Sequence, residues 1–174
     1  DAAGKRRVSI EWEPTAEPLV YVHLAVHESE ESWSDVELFS FEVPHEDVVF
    51  DSNEASLRPD QEPKLTTTLA AIEEALASYD AVALELFVAG YTDTVGNEGD
   101  NAELSARRAK SIAQWFRKRL SIPIHYQGFG ESVLAVPTSD GVDEERNRRA
   151  VYLLANTAPG VSKDFPKSAW KRVD

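Results

Sequence analysis

The chain contains no cysteine, which excludes disulfides and thiolate metal sites. That absence is compatible with an oxidising compartment. No apolar run approaches the ~20 residues that a membrane-crossing helix needs. Basic residues are the minority: 18 Lys and Arg stand against 31 Asp and Glu, for a net charge of −13. Nucleic acid is therefore repelled at long range and is not expected as a partner, since its binding normally needs a basic face, and an anionic membrane surface is disfavoured on the same ground. His23, His27, His45 and His125 do not form a metal-spaced cluster with acids. His23 and His27, four apart in a strand-like run, share a face without being adjacent. Ser105 has no Gly-x-Ser-x-Gly elbow around it. Glu73-Glu74 and Glu144-Glu145 suit a solvated helix face better than a hydrolase dyad. No catalytic residue, metal site or cofactor is expected. There is no internal repeat and no visible signal peptide, and the chain opens on Asp1 rather than Met. The expectation is a mature form or an excised piece of a longer protein.

What is present fits a soluble globular protein: 174 residues, 42% hydrophobic and 28% charged. That length holds one ordinary domain, or one with a small accessory unit. Residues 1–44 carry ten acids and three bases, and residues 45–174 carry twenty-one and fifteen. The longer part is the less acidic per residue, and its arginines are where an anion is best held.

Three runs near the start alternate as strands do: Val8 to Trp12, Val20 to Val26 and Val36 to Val43. Pro14, Pro18 and the acidic, Ser-rich stretch Glu28 to Asp35 separate them. Three strands are few for an independent sheet. Residues 1–44 thus read as an accessory β unit, the end of a truncated β-sandwich packed on the main domain, with the boundary at Pro44-His45. Val48-Val49-Phe50 reads as a short buried strand and Asp51-Ser52-Asn53 as a turn. A helix follows, with Pro59 near its first turn and Leu65, Leu69, Ile72 and Leu76 at helical spacing. Ala83 to Ala89 is a strand, and Gly90 to Gly99 a loop. Asn101 is placed to cap the next helix, whose buried side is marked by Leu104, Ile112, Trp115 or Phe116, and Leu120. Ile124 to Phe129 and Ala150 to Leu154 are strands, the second being the last clear one. The tail 157–174 is polar and Pro-interrupted, with Phe165 and Trp170 able to pin it back. Trp12, Trp33, Trp115 and Trp170 are scattered and read as packing residues. The order βαβαββ implies an α/β (α+β) two-layer sandwich, two helices on one face of a mixed sheet, over residues 45–156.

The most informative stretch is Ala89-Gly90-Tyr91-Thr92-Asp93-Thr94-Val95-Gly96, followed by Asn101-Ala102-Glu103-Leu104-Ser105-Ala106-Arg107-Arg108-Ala109. It sets an acid, Asp93, in a Gly-bounded loop and a base, Arg108, on the next helix. Such a pair suits the two ends of an amino-acid zwitterion. Plainer roles stand beside this one. Asp93 could close an Asx-turn, and Arg108 could pair with Glu103 on the surface.

Five ordered pieces from about Val48 to Leu154 resemble the peptidoglycan-binding C-terminal domain of the OmpA family. Val49-Phe50-Asp51-Ser52-Asn53 with Leu57-Arg58-Pro59 is similar to its opening strand and turn. Gly90-Tyr91-Thr92-Asp93 with Gly96 resembles its Gly-His-Thr-Asp loop. Asn101, Leu104-Ser105 and Arg108-Ala109 fit its Asn-x-x-Leu-Ser-x-x-Arg-Ala helix motif. Gly128-x-Gly130-Glu131 resembles its third-strand turn, and Asn147-Arg148-Arg149 its lead into the last strand. Five such pieces are more specific than a lone Gly motif. Two positions depart: Tyr91 stands for the usual His, and Asp100 for the usual aromatic.

The resemblance implies that Asp93 takes the ammonium, and Arg108 the carboxylate, at the free end of diaminopimelate in the peptide stem. A planar guanidinium suits a carboxylate bidentately. Backbone N–H groups of the Gly90 to Gly99 loop could complete the site. Asn53, Asn101, Leu104 and Arg149 are the further ligand candidates, each with a plainer role. For Asn53 that is a turn, for Asn101 a helix cap, for Leu104 the core, and for Arg149 neutralising the acidic rim. Arg148 reads as facing solvent. The implied function is non-covalent binding of peptidoglycan in the periplasm, anchoring an envelope protein held at the outer membrane by a part of the parent not in this chain. The fragment itself would not insert in a membrane. The alternative is a protein-interaction module of the same fold that has lost wall binding. Residues 1–44 could dock an envelope partner in either case.

Overall fold

The structure is a computed structural model that describes residues 21–27, 33–51 and 53–174. The expected strand Val8 to Trp12, with Trp12 itself and the side chain of Trp33, lies outside the described residues. The described chain runs β1 (Tyr21–His27), β2 (Trp33–Glu42), α1 (Glu62–Ser78), β3 (Glu85–Tyr91), α2 (Glu98–Arg117), β4 (Ile124–Gly130), β5 (Ala150–Ala155) and β6 (Lys171–Arg172). The strands form one six-stranded mixed sheet in the order β1-β2-β5-β3-β4-β6. The β3–β4 pair is parallel, joined by α2, while β3–β5 and β2–β5 are antiparallel. The mixed sheet with two helices matches the fold class read from the sequence.

The opening strand of the βαβαββ pattern is β2, not Val48-Val49-Phe50. Ser40, Phe41 and Glu42 pair with Ala155, Leu154 and Leu153, and the Val43 N–H continues the contact to the Tyr152 carbonyl at 2.8 Å. Phe39 and Val43 are buried in the same core as the helices. The sheet thus contains strands from both sides of the Pro44-His45 position. Beyond it the chain leaves the ladder. The Val49 N–H is satisfied by the Gln61 side chain at 3.1 Å instead of a strand partner, and Val49 itself is exposed.

Both helices cover one face. Leu65, Ile72 and Ala75 of α1 meet Ile112, Ala113 and Phe116 of α2 over Leu86, Val88, Tyr152 and Leu154. Pro59 opens a 3₁₀ turn, Pro59–Gln61, that leads straight into α1. The other face is covered by the tail. Trp170 packs edge-on against Phe87 and Phe129, with ring centroids 5.2 and 5.9 Å away, and Phe165 joins them. The tail also supplies β6, which pairs with His125 and Tyr126 at the β4 edge; β5 is therefore not the last strand. This double cover explains why β3 is buried on both sides and does not alternate.

Helix α2 lies unusually close to β3 and β4. A Cβ on Gly128 would fall 2.2 Å from the Ala106 nitrogen, and one on Gly90 2.4 Å from the Ser105 carbonyl oxygen. Buried Ser105 uses that closeness: its Oγ accepts from the Gly130 N–H at 2.9 Å and donates to the Ala102 carbonyl at 3.0 Å. The contact fixes α2 against the ends of the two strands, where the β3–α2 loop begins.

Candidate functional site

The β3–α2 loop spans Thr92 to Asn97, shorter than the Gly90 to Gly99 expected, because β3 runs on to Tyr91 and α2 starts at Glu98. Asn97, not Asn101, caps the helix: its Oδ1 accepts from the Asp100 N–H at 2.9 Å. Its amide also donates to the Asp100 carboxylate at 2.5 Å. An acid at this position, in place of the family's usual aromatic, suits the positive end of the helix dipole. Asn101 is buried one turn in and serves the loop. Its Nδ2 meets the Asp93 carbonyl at 3.3 Å, the Val95 carbonyl at 3.1 Å and the Glu131 carboxylate at 2.5 Å. It is an internal tie that couples the loop to the turn after β4.

Asp93 is 6% exposed. Its Oδ1 accepts from the Val95 N–H at 3.2 Å, which is the Asx-turn. Its Oδ2 faces the Arg148 guanidinium, with Nη1 at 2.5 Å. The same Nη1 donates to Asp143. These two carboxylates, Asp93 first, raise the Arg148 pKa above its ordinary value. Arg148 is thus a wall of the site and does not simply face solvent.

Arg108 is half-buried on α2. It does not pair with Glu103; that acid lies 3.9 Å from Arg107. The Arg108 Nε donates to the Glu54 carbonyl at 2.9 Å and Nη2 to the Asp51 carbonyl at 3.2 Å. Its guanidinium lies over the Phe50 ring, 5.1 Å from the centroid. Among the described residues no carboxylate pairs with it. Burial first, and the Arg148 guanidinium second, lower its pKa, while Asp93 opposes them. The turn that holds it has Asn53 in the left-handed region at φ 60°, with the Glu54 N–H bonded to the Asp51 carbonyl at 3.0 Å. Asn53 is therefore a turn former, and it also borders the cleft.

These groups line one open cleft of about 460 Å³, with Phe50, Asn53, Asp93, Asn101, Leu104, Arg108 and Arg148 on its walls. Thr92 also lines it; its hydroxyl is buried and has no hydrogen-bond partner among the described residues. The structure brings together Asp93, Arg108, Asn53, Asn101 and Leu104. It leaves out Arg149, which lies over the Tyr91 ring, 4.2 Å from the centroid, and donates to the Val133 carbonyl at 3.4 Å. Tyr91 stacks on Phe129, and its hydroxyl donates to the Asp164 carbonyl at 3.1 Å. Tyr91, which stands for the usual His, thus serves the tail-covered face and does not line the cleft. Burial, its largest influence, raises its pKa.

Sequence reasoning missed Arg148, Asp143 and Thr92. Asp143 and Arg148 reach the site because the long β4–β5 connection is stapled to the β3–α2 loop. Thr94 Oγ1 donates to the Ser139 carbonyl at 2.8 Å and accepts from the Val142 N–H at 3.1 Å. Buried Asn147 closes the connection on itself through both polar atoms of Val136, each at 2.9 Å. The only local signal was the adjacent pair Arg148-Arg149 at a strand start, where successive side chains part to opposite sides.

Chemically the cleft holds the buried Asp93, the exposed Asp100 and Asp143 at its rim, and two guanidiniums, one of which has no acidic partner among the described residues. It can hold a small group that carries both charges. The outer-membrane lipoprotein YfiB of Pseudomonas aeruginosa is 34% identical over 110 residues, 62% of this chain and 61% of that protein. Outer membrane protein A of Klebsiella pneumoniae is 34% identical over 130 residues, 73% of this chain and 35% of that protein. A segment of the photosystem I P700 chlorophyll a apoprotein A2 of Gloeobacter violaceus is 28% identical over 125 residues, 67% of this chain but 14% of that protein. The chain thus spans less than two thirds of the length of each. The sequence model of the OmpA family matches residues 49–148, more than half of the chain, which therefore belongs to the OmpA family.

Proposed function

We propose that the chain is a non-covalent anchor to peptidoglycan, working in the periplasm, that grips the diaminopimelate side chain of a peptide stem in the Asp93–Arg108 cleft. The observation that carries this reading is the state of Arg108. It is a half-buried guanidinium held by two carbonyls, with another guanidinium as neighbour and no carboxylate paired to it among the described residues. A cation so placed favours a carboxylate, and the buried acid across the cleft favours an ammonium. The free end of diaminopimelate presents both on one carbon. The Thr92 hydroxyl on the cleft wall, without a partner among the described residues, supplies a further polar contact.

A few charge-assisted contacts, on the order of 1.5–3 kcal/mol each, make for modest single-site affinity. Many copies, or attachment of a parent protein to the outer membrane, would raise the effective concentration. This is a holding function and calls for no catalytic group. The test is calorimetric titration with diaminopimelate-containing stem peptide against its Lys-containing counterpart, on wild type and Arg108→Ala. Saturable binding that prefers diaminopimelate and is lost in Arg108→Ala supports the reading.

One observation favours a second reading, a protein-interaction module that keeps the fold without wall binding: Asp93 is already paired with Arg148. Folded protein that binds neither peptide would favour it.

A further inference from the structure

Arg148 stands where a ligand ammonium would bind. Its Nη1 lies 2.5 Å from Asp93 Oδ2, while Asp93 Oδ1 is taken by the Val95 N–H. A cation arriving at Asp93 therefore meets a carboxylate that is already neutralised. For a lone ammonium the exchange gains little: one charge-assisted bond replaces another, and the guanidinium loses an acid. A zwitterion changes the outcome, because its carboxylate offers the displaced guanidinium a new acceptor. Arg148 is suited to receive it. Asp143 tethers Nη1, and Nε and Nη2 have no partner among the described residues. Arg108 also lines the cleft, and its Nη1 has no partner among the described residues, its other nitrogens being committed to Glu54 and Asp51.

We propose that Arg148 is a specificity-determining residue that keeps Asp93 closed to ligands bearing only an ammonium and yields to ligands that bring a carboxylate on the same carbon. This rests on the zwitterion reading of the cleft. Discrimination then comes from a penalty on the wrong ligand as well as contacts with the right one. The penalty falls on Arg148: with a lone ammonium on Asp93 its guanidinium gives up the bond to a buried carboxylate, keeps only exposed Asp143, and gains no new acceptor.

The experiment is a calorimetric titration of wild type, Arg148→Ala and Arg148→Lys with the diaminopimelate-containing and Lys-containing stem peptides. The quantity read is the ratio of the two affinities on the same protein, which is unaffected if part of a variant is unfolded. Wild type should prefer diaminopimelate. In Arg148→Ala the Lys-containing peptide should bind more tightly, by roughly tenfold for one charge-assisted bond no longer contested, and the preference should collapse. Arg148→Lys keeps a cation on Asp93 and should continue to exclude the Lys-containing peptide. The inference is overturned if wild type prefers diaminopimelate and Arg148→Ala leaves that ratio unchanged, or weakens both peptides equally. Failure of wild type to bind either peptide overturns the cleft reading itself, and this inference with it.

Discussion

Arg148 and Arg149 are neighbours in the chain whose guanidiniums go to different partners. Arg148 Nη1 meets the buried Asp93 carboxylate at 2.5 Å, while the Arg149 guanidinium lies 4.2 Å from the Tyr91 ring centroid. Arg149→Ala should therefore cost stability and spare ligand binding. The loss is about 1 kcal/mol, the range of a partly desolvated cation–π contact. Urea unfolding reads the first effect and peptide titration the second; a large loss of affinity at unchanged stability would contradict this placement.

Arg108→Lys tests the fork and not the charge. The two carbonyls of Glu54 and Asp51 orient a planar guanidinium and leave Nη1 without a partner among the described residues. A single ammonium cannot serve both carbonyls and a carboxylate. Affinity for the diaminopimelate-containing peptide should fall about tenfold or more. Because the side chain is only half-buried, the melting temperature should move by no more than a few degrees.

Gly128→Ala should be among the most damaging small changes in the chain. The added Cβ would fall 2.2 Å from the Ala106 nitrogen and 2.5 Å from Ser105 Oγ. Backbone cannot yield as a side-chain tip can, so α2 must shift off β4. A loss of roughly 2–3 kcal/mol is expected from such overpacking. Chemical denaturation measures it. A near-neutral result would mean that the helix and strand are less tightly joined.

Glu144 gives an acid-side pH dependence. Hydrogen bonds from the Arg146 side chain and then its backbone N–H lower the Glu144 pKa from 4.5 to about 2. A carboxylate lowered in the folded state stabilises it above its ordinary value. That contribution fades as pH falls through 4.5 and is gone below about 2. Glu144→Gln should thus be less stable than wild type at neutral pH and converge with it near pH 2. Denaturant midpoints of the two proteins across that range check the sign. The 3₁₀ turn Glu145–Asn147, which Glu144 caps, leads directly to Arg148, so the same variant should loosen Arg148 at neutral pH.

Several parts of the fold were legible because their causes are local. The spacing of Leu65, Leu69, Ile72 and Leu76 marks α1, and that of Leu104, Ile112 and Phe116 marks α2, since each buries one stripe. Leu86 and Val88 mark β3, and Gly128 and Gly130 mark the strand end where a helix passes close. Three apolar residues at Val48 to Phe50 looked like a strand. No local pattern tells whether their backbone groups will find a ladder, and they did not. The tail strand Lys171–Arg172 is too short to carry a periodicity, and it exists through its pairing with His125 and Tyr126.

By itself the sequence determined the order of the central elements and put an acid and a base, Asp93 and Arg108, on the loop and helix that follow β3. It did so because helical and strand periods, turn residues and helix spacing are properties of neighbouring residues. Tertiary structure decided which charges meet. It brought Arg148, fifty-five positions away, onto Asp93 and laid Arg149 over the Tyr91 ring. It also placed the tail over Phe87 and Phe129, and β2 beside β5. Those outcomes depend on strand register and on long connections stapled by single side chains such as Thr94 and Asn101. The stapling partners lie 30 to 48 residues apart in the chain, beyond the reach of any local pattern.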